Sequence, residues 1–127
     1  MTENEVGKIV VDAAIEVHKE LGPGLLESVY EISLAYELEK RGLKAQRQLP
    51  IAIRYKDIRF DVGFKADIVV EEKVVLELKS VEKVIPSHKK QIQSYLKLMD
   101  YRLGFLLNFG EALMVDGITR CVNKLKE

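Results

Sequence analysis

The chain is poor in the residues that form covalent or soft-metal cross-links. Cys121 is the single cysteine, which excludes an internal disulfide, and with only His18 and His88 as histidines there is no ligand set for a structural zinc. Cys121 is expected instead as a small core residue in a late strand. No apolar run approaches the roughly 18 residues of a membrane span. The acidic start, Met1-Thr2-Glu3-Asn4-Glu5, has no apolar leader segment, so a cytoplasmic protein without membrane contact is expected. Net charge is missing too. The 20 Lys and Arg balance 20 Asp and Glu, which argues against strong non-specific binding to nucleic acid. There is no repeat, low-complexity tract or linker, and 127 residues with 47% apolar content fit one domain, 1–127.

The balance of charge hides an asymmetry. Up to residue 39 the acidic side chains Glu3, Glu5, Asp12, Glu16, Glu20, Glu27, Glu31, Glu37 and Glu39 face only Lys8 and Lys19. Then come Lys40, Arg41, Lys44, Arg47, Arg54, Lys56, Arg59 and Lys65 against Asp57 and Asp61. A basic face of this kind can hold phosphates on a neutral protein; strands with ordinary solvated faces are the alternative.

Val6, Ile9, Val10, Ala13, Ala14, Val17 and Leu21 recur at helical spacing and predict a first helix ending at Gly22-Pro23-Gly24. A second is predicted from Leu25 to Arg41, with Leu26, Val29, Tyr30, Leu34 and Leu38 towards the core and Gly42 as its stop. Three antiparallel strands follow at Leu49 to Tyr55, Arg59 to Val70 and Val74 to Ser80. Pro86 leads into a helix from Ser87 to Met99, Arg102 to Phe109 reads as a buried strand, and Ala112 to Val115 with Ile118 to Val122 suggest a small closing hairpin. The order α-α-β-β-β-α-β predicts an α/β or α+β fold around one mixed sheet.

Within this order, Asp67 and the run Glu77-Leu78-Lys79 fall on adjacent strands. Glu77 and Lys79 share a face by alternation. Whether Asp67 joins them depends on the turn at Glu71-Glu72-Lys73. A two-residue turn pairs Val70 with Lys73 and leaves Glu77 on the other face; a three-residue turn pairs Val70 with Val74 and sets Asp67 opposite Glu77. In the second case the two carboxylates offer hard oxygen ligands for Mg²⁺ or Mn²⁺, with the Leu78 carbonyl and waters completing the shell, and Lys79 stands ready to orient water or neutralise a phosphate. An ordinary polar strand face is the alternative, but carboxylates in such apolar strands are costly to bury unpaired. Gln91 and Tyr95 lie one helical turn apart just after that strand and are placed to lean over the same pocket, Tyr95 with its hydroxyl hydrogen-bonded; Tyr95 as core and Gln91 as surface is the alternative that the spacing leaves open. Glu27 and Tyr30 share a face near the start of the second helix, where helix-dipole stabilisation of Glu27 is the simpler reading.

Gly24-Leu25-Leu26-Glu27-Ser28-Val29-Tyr30 resembles the signature of the GxxExxY protein family, a branch of the PD-(D/E)XK nuclease superfamily. The likeness extends through Val17 to Gly24, Ala66 to Val70, Glu77-Leu78-Lys79, Gln91 with Tyr95, and Leu106 to Gly110. Ala66 stands where the superfamily pattern has proline. The resemblance implies a restriction-endonuclease-like core, Asp67 and Glu77 on a Mg²⁺ or Mn²⁺ ion, Lys79 in catalysis, Glu27 completing the site from its helix, and Gln91 and Tyr95 at the helix motif of RecB-like nucleases. It implies nucleic acid as partner, DNA before RNA, and is compatible with a homodimer; the basic stretch and the start of the third helix put Arg54, Arg59, Lys65, Lys89 and Lys90 forward as phosphate contacts. The competing reading is a catalytically silent module of the same fold that binds nucleic acid or a protein.

Overall fold

The computed structural model describes residues 1–126. Helix α1 (Glu3–Leu21) starts at a capping box: the Glu5 N–H donates to the Thr2 hydroxyl, and the Thr2 N–H donates to the Glu5 carboxylate. Its buried stripe is Val6, Val10, Ala13, Ala14 and Val17, and it stops at Gly22, whose φ of 73° is open to glycine. Helix α2 (Glu27–Lys40) buries Tyr30, Leu34 and Leu38 as expected. It begins two residues later than the spacing predicts. Leu26 is the N-cap residue and is 74% exposed, while Val29 sits on the outer side beside Ile32 and Tyr36. The reason lies in Tyr30: its hydroxyl accepts from the Leu25 N–H at 3.0 Å and donates to the Gly22 carbonyl at 2.5 Å, holding the preceding segment as a loop.

Strands β1 (Ala45–Tyr55), β2 (Ile58–Val70), β3 (Val74–Lys79), β4 (Leu103–Asn108) and β5 (Ile118–Val122) form one sheet in sequence order. Helix α3 (Pro86–Met99) is the crossover that makes β3 and β4 parallel; the other neighbours are antiparallel. Pro86 opens α3, where its missing N–H costs nothing. Val74, Leu76 and Leu78 join α1 and α2 in one core, whereas Val75 and Val69 meet Ile92 and Leu96 of α3 in another on the opposite face. Cys121 is buried in β5 on the α3 side, as expected.

The predicted closing hairpin does not form. Ala112 to Val115 is no strand: Met114–Asp116 is a single 3₁₀ turn with Met114 in the core, and β5 pairs with β4 instead. Strand β4 is buried along its whole length, so β5 satisfies an edge that would otherwise lie bare. The link from β4 back towards β3 is equally tight. The fully buried Asn108 accepts from the Val81 and Gly110 N–H groups and donates to the Val81 carbonyl, all at 3.0–3.1 Å.

Strand β2 leaves β3 early. Their ladder holds Val70↔Val74, Val69↔Val75 and Ile68↔Leu76 only, while β1 and β2 run on together to Tyr55↔Ile58 as a two-stranded arm. Where they part, the β1–β2 alternation resets. Ala45, Ile68 and Val70 face the two-helix core, but Leu49, Ile51, Phe64 and Ala66 face α3, and the Gln48/Asp67 rung between the two groups is missing from the ladder.

A Cβ at Gly110 would fall on the Val81 carbonyl oxygen. Because that neighbour is backbone, Gly110→Ala is expected to destabilise by about 1–3 kcal/mol in chemical denaturation. A change below the measurement error would show that the Val81 segment yields freely.

Candidate active site

The turn after β2 has three residues. The Lys73 N–H donates to the Val70 carbonyl at 3.0 Å, and Glu71 and Glu72 both take positive φ, 52° and 53°. Two adjacent glutamates in that region are unfavourable on their own. They are held because Lys44 lies alongside: Glu71 exchanges two backbone-directed hydrogen bonds with it at 2.7 and 2.9 Å, and the Lys44 ammonium pairs with Glu72 at 2.8 Å. Of the two registers open in the sequence, the structure has the one that pairs Val70 with Val74.

Counting along that register sets Asp67 opposite Glu77, at the point where the strands separate. Backbone pairing is replaced there by side chains. The Asp67 N–H donates to Glu77 Oε1 at 3.2 Å, and the Leu78 N–H donates to Asp67 Oδ2 at 2.9 Å. Each carboxylate thus satisfies the other strand's backbone, and both are fixed at the fork.

Glu77 is 6% exposed. Burial, reinforced by the negative charge of Asp67, pushes its carboxyl up to about 8; the Asp67 N–H and Lys79 act in the other direction. The pair therefore holds a proton at neutral pH unless a cation takes its place. Lys79 is half-buried and follows Glu77 on the same face. Tyr95 leans towards the fork from α3. Its ring stacks on Phe64 at 3.9 Å, and its hydroxyl is held above the usual phenol range by burial and then by the charges of Glu77 and Asp67. The expected hydrogen bond from that hydroxyl is absent among the described residues. Gln91, one turn earlier, is exposed.

Helix α2 meets the fork on the opposite face of the sheet from α3 and forms a cleft there. Glu27, Ser28 and Glu31 enclose about 320 Å³ with Arg47, Gln48, Asp67 and Leu78. Glu27 and Asp67 therefore line one cleft, although Glu27 is exposed. Two further cleft residues escaped the sequence reading. Glu31 is 6% exposed and accepts from Arg47 at 2.9 and 3.2 Å and from the Gln48 amide at 2.6 Å; the same amide reaches Asp67 Oδ1 at 3.3 Å. Glu31 was discoverable, being one helical turn beyond Glu27. Gln48 carried no signal. Tyr30, by contrast, points away into the core, stacked on Phe109 at 4.3 Å, and its loop is tied to the end of β3 by Ser80 donating to the Leu25 carbonyl.

The basic block is not one face. Arg41 pairs with Asp12 and Glu37, Lys44 with Glu72, Arg47 with Glu31, and Arg59 with Asp61. Arg54 and Arg59 sit opposite each other near the end of the arm and line a different groove with Lys97. Lys65 on β2 and Lys89 and Lys90 on the first turns of α3 are exposed. Among the described residues no group of three His, Cys, Asp or Glu side chains gathers as a metal cage, so Asp67 and Glu77 stand as a pair. Among the described residues no helix is long and apolar enough to cross a membrane.

A family model described as the PD-(D/E)XK nuclease superfamily matches residues 4–121. The three helices and five-stranded mixed sheet are the restriction-endonuclease-like fold expected for it. No curated protein and no solved structure matches the chain.

The Glu77 carboxyl carries a pH signature. Its value of about 8 in the folded chain lies above the ordinary 4.5, so the folded state binds the extra proton. That contribution is fully present below the unfolded value and is lost as pH rises through the folded one. In EDTA, stability is expected to fall by on the order of a few kcal/mol between about pH 5 and about pH 9. Glu77→Gln should flatten most of that slope in thermal denaturation; an unaltered slope would assign it to other groups.

Proposed function

The chain belongs to the PD-(D/E)XK nuclease superfamily, and we propose that it is a Mg²⁺- or Mn²⁺-dependent nuclease of the GxxExxY branch, hydrolysing phosphodiester bonds of nucleic acid, DNA before RNA, in the cytoplasm. The observation that carries this reading is the fork itself: Asp67 and Glu77 meet where β2 leaves β3, with Glu77 buried beside a second carboxylate. Two hard-oxygen donors whose charges oppose one another suit a divalent cation, and the residues present fit one. When bound, such a cation supplies polarisation of the phosphoryl group and compensation of developing charge.

The chain's own residues do the rest. Asp67 and Glu77 hold the cation. Lys79, on the Glu77 face at the end of β3, places an ammonium against the phosphate and stabilises charge as the bond breaks. Glu27, across the cleft, is positioned to orient water, and the stacked Tyr95 and Phe64 form the apolar flank that keeps bulk solvent from Glu77. Gln91 completes that flank from the exposed side of α3. For the phosphate backbone, Lys65, Lys89, Lys90 and Arg54 have no carboxylate partner among the described residues, while Arg59 must give up Asp61 to serve.

Calorimetry with Mn²⁺ is expected to show binding to the wild type that Asp67→Ala abolishes. Lys79→Met keeps most of the stem and should keep folding and Mn²⁺ binding, yet lower the EDTA-sensitive cleavage rate on a panel of single-stranded, duplex, flap and junction substrates by on the order of 10² to 10⁴. Equal rates for the two proteins would remove Lys79 from catalysis. Nucleic-acid binding without cleavage by either would favour the silent module.

A further inference from the structure

We infer that Gln48 is a positioning residue for Asp67, held by Glu31 of α2, and that its backbone strain in the middle of a strand serves this placement. The inference rests on the metal-site reading of the fork.

Gln48 has φ of 49° inside β1, a region that side-chain-bearing residues avoid. Lys56, the other positive-φ position within this hairpin, lies in the turn at its tip, where such values are ordinary. At Gln48 the value has a structural consequence: this is the missing rung at which the strand faces exchange cores. Glycine would perform that backbone task without strain. The residue present is instead one with two amide hydrogens, and both have an acceptor.

One donation goes to Glu31 Oε1 at 2.6 Å and the other to Asp67 Oδ1 at 3.3 Å. Both neighbours are carboxylates, so the amide can only turn its NH₂ to them. Glu31 is itself fixed, since Arg47 grips its second oxygen through two nitrogens. The sequence Arg47–Glu31–Gln48–Asp67 is therefore a chain of hydrogen bonds from a buried helix position to the exposed side of the Asp67 carboxylate. The Leu78 N–H fixes the opposite oxygen. With both oxygens engaged, Asp67 has one orientation, and neither bond consumes the lone pairs that remain for a cation. The supporting shell of a carboxylate ligand acts in this way.

Gln48→Gly separates the two roles, because it keeps the backbone conformation and removes the amide. In EDTA its denaturation midpoint is expected to equal or exceed the wild type's. Its Mn²⁺ affinity by calorimetry should fall on the order of 10- to 100-fold. Gln48→Met, which retains length and strain without donors, should lose affinity similarly and also lose stability. Lower affinity without lower stability in the glycine variant is a combination that a purely structural role does not produce. Wild-type affinity in Gln48→Gly, or a loss of affinity that tracks a loss of stability, overturns the inference while leaving the metal site intact. Absence of Mn²⁺ binding by the wild type overturns both.

Discussion

The site depends on how β2 parts from β3. An antiparallel pair that continued past Ile68↔Leu76 would close its backbone groups against one another and leave no room at the next rung. The separation frees two N–H groups, and buried donors require partners. Asp67 and Glu77 supply them crosswise. The same bonds that compensate for the broken ladder thus bring two like charges together, with Glu77 held in the apolar layer under α3. A single feature provides both the opening and the electrostatic imbalance within it.

Much of the remaining structure keeps that fork from closing or sliding. The turn at Glu71 to Lys73 sets the register on one side, anchored to Lys44. On the other side, the segment after Lys79 is pinned by Asn108 and Gly110, and the loop before α2 is pinned by Tyr30 and Ser80. Several residues that carry the family likeness, Gly24, Tyr30, Asn108, Phe109 and Gly110 among them, are therefore holding devices around the chemical groups. Of the opening signature only Glu27 and Ser28 line the cleft.

The elements of the fold were legible because their signals are local. Helical spacing, the Gly22 and Gly42 breaks, Pro86 and the period-two runs place all three helices and all five strands within a few residues. The Asp67 and Glu77 pair was legible as one of two registers, and the deciding fact, positive φ at two glutamates, depends on Lys44, which precedes β1. Gln48 lay beyond reach for a related reason. Strand alternation assumes that a residue's face persists along its strand, and at Gln48 it does not. The closing hairpin failed because local β-propensity cannot report that β4 already offered β5 a better edge. The basic block misled in the same way: neighbours in sequence became partners of acids on other elements, which only the folded chain shows.

The arm formed by β1 and β2 beyond the fork has an evolutionary consequence. Its rungs from Leu49↔Ala66 outwards pair with no other strand, already contain an irregularity between Ile51 and Ile53, and end in exposed side chains such as Tyr55, Ile58, Phe60 and Val62. The register of Asp67 against Glu77 is fixed from the opposite direction, by the turn at Glu71 to Lys73. Insertions, deletions or reshaped tips in the arm leave that register untouched. The molecule is thereby divided into a part where one lost residue displaces the chemistry and, beyond Ile51 and Phe64, a part free to vary in length and sequence, so that surfaces for new partners can diversify there without renegotiating the cleft.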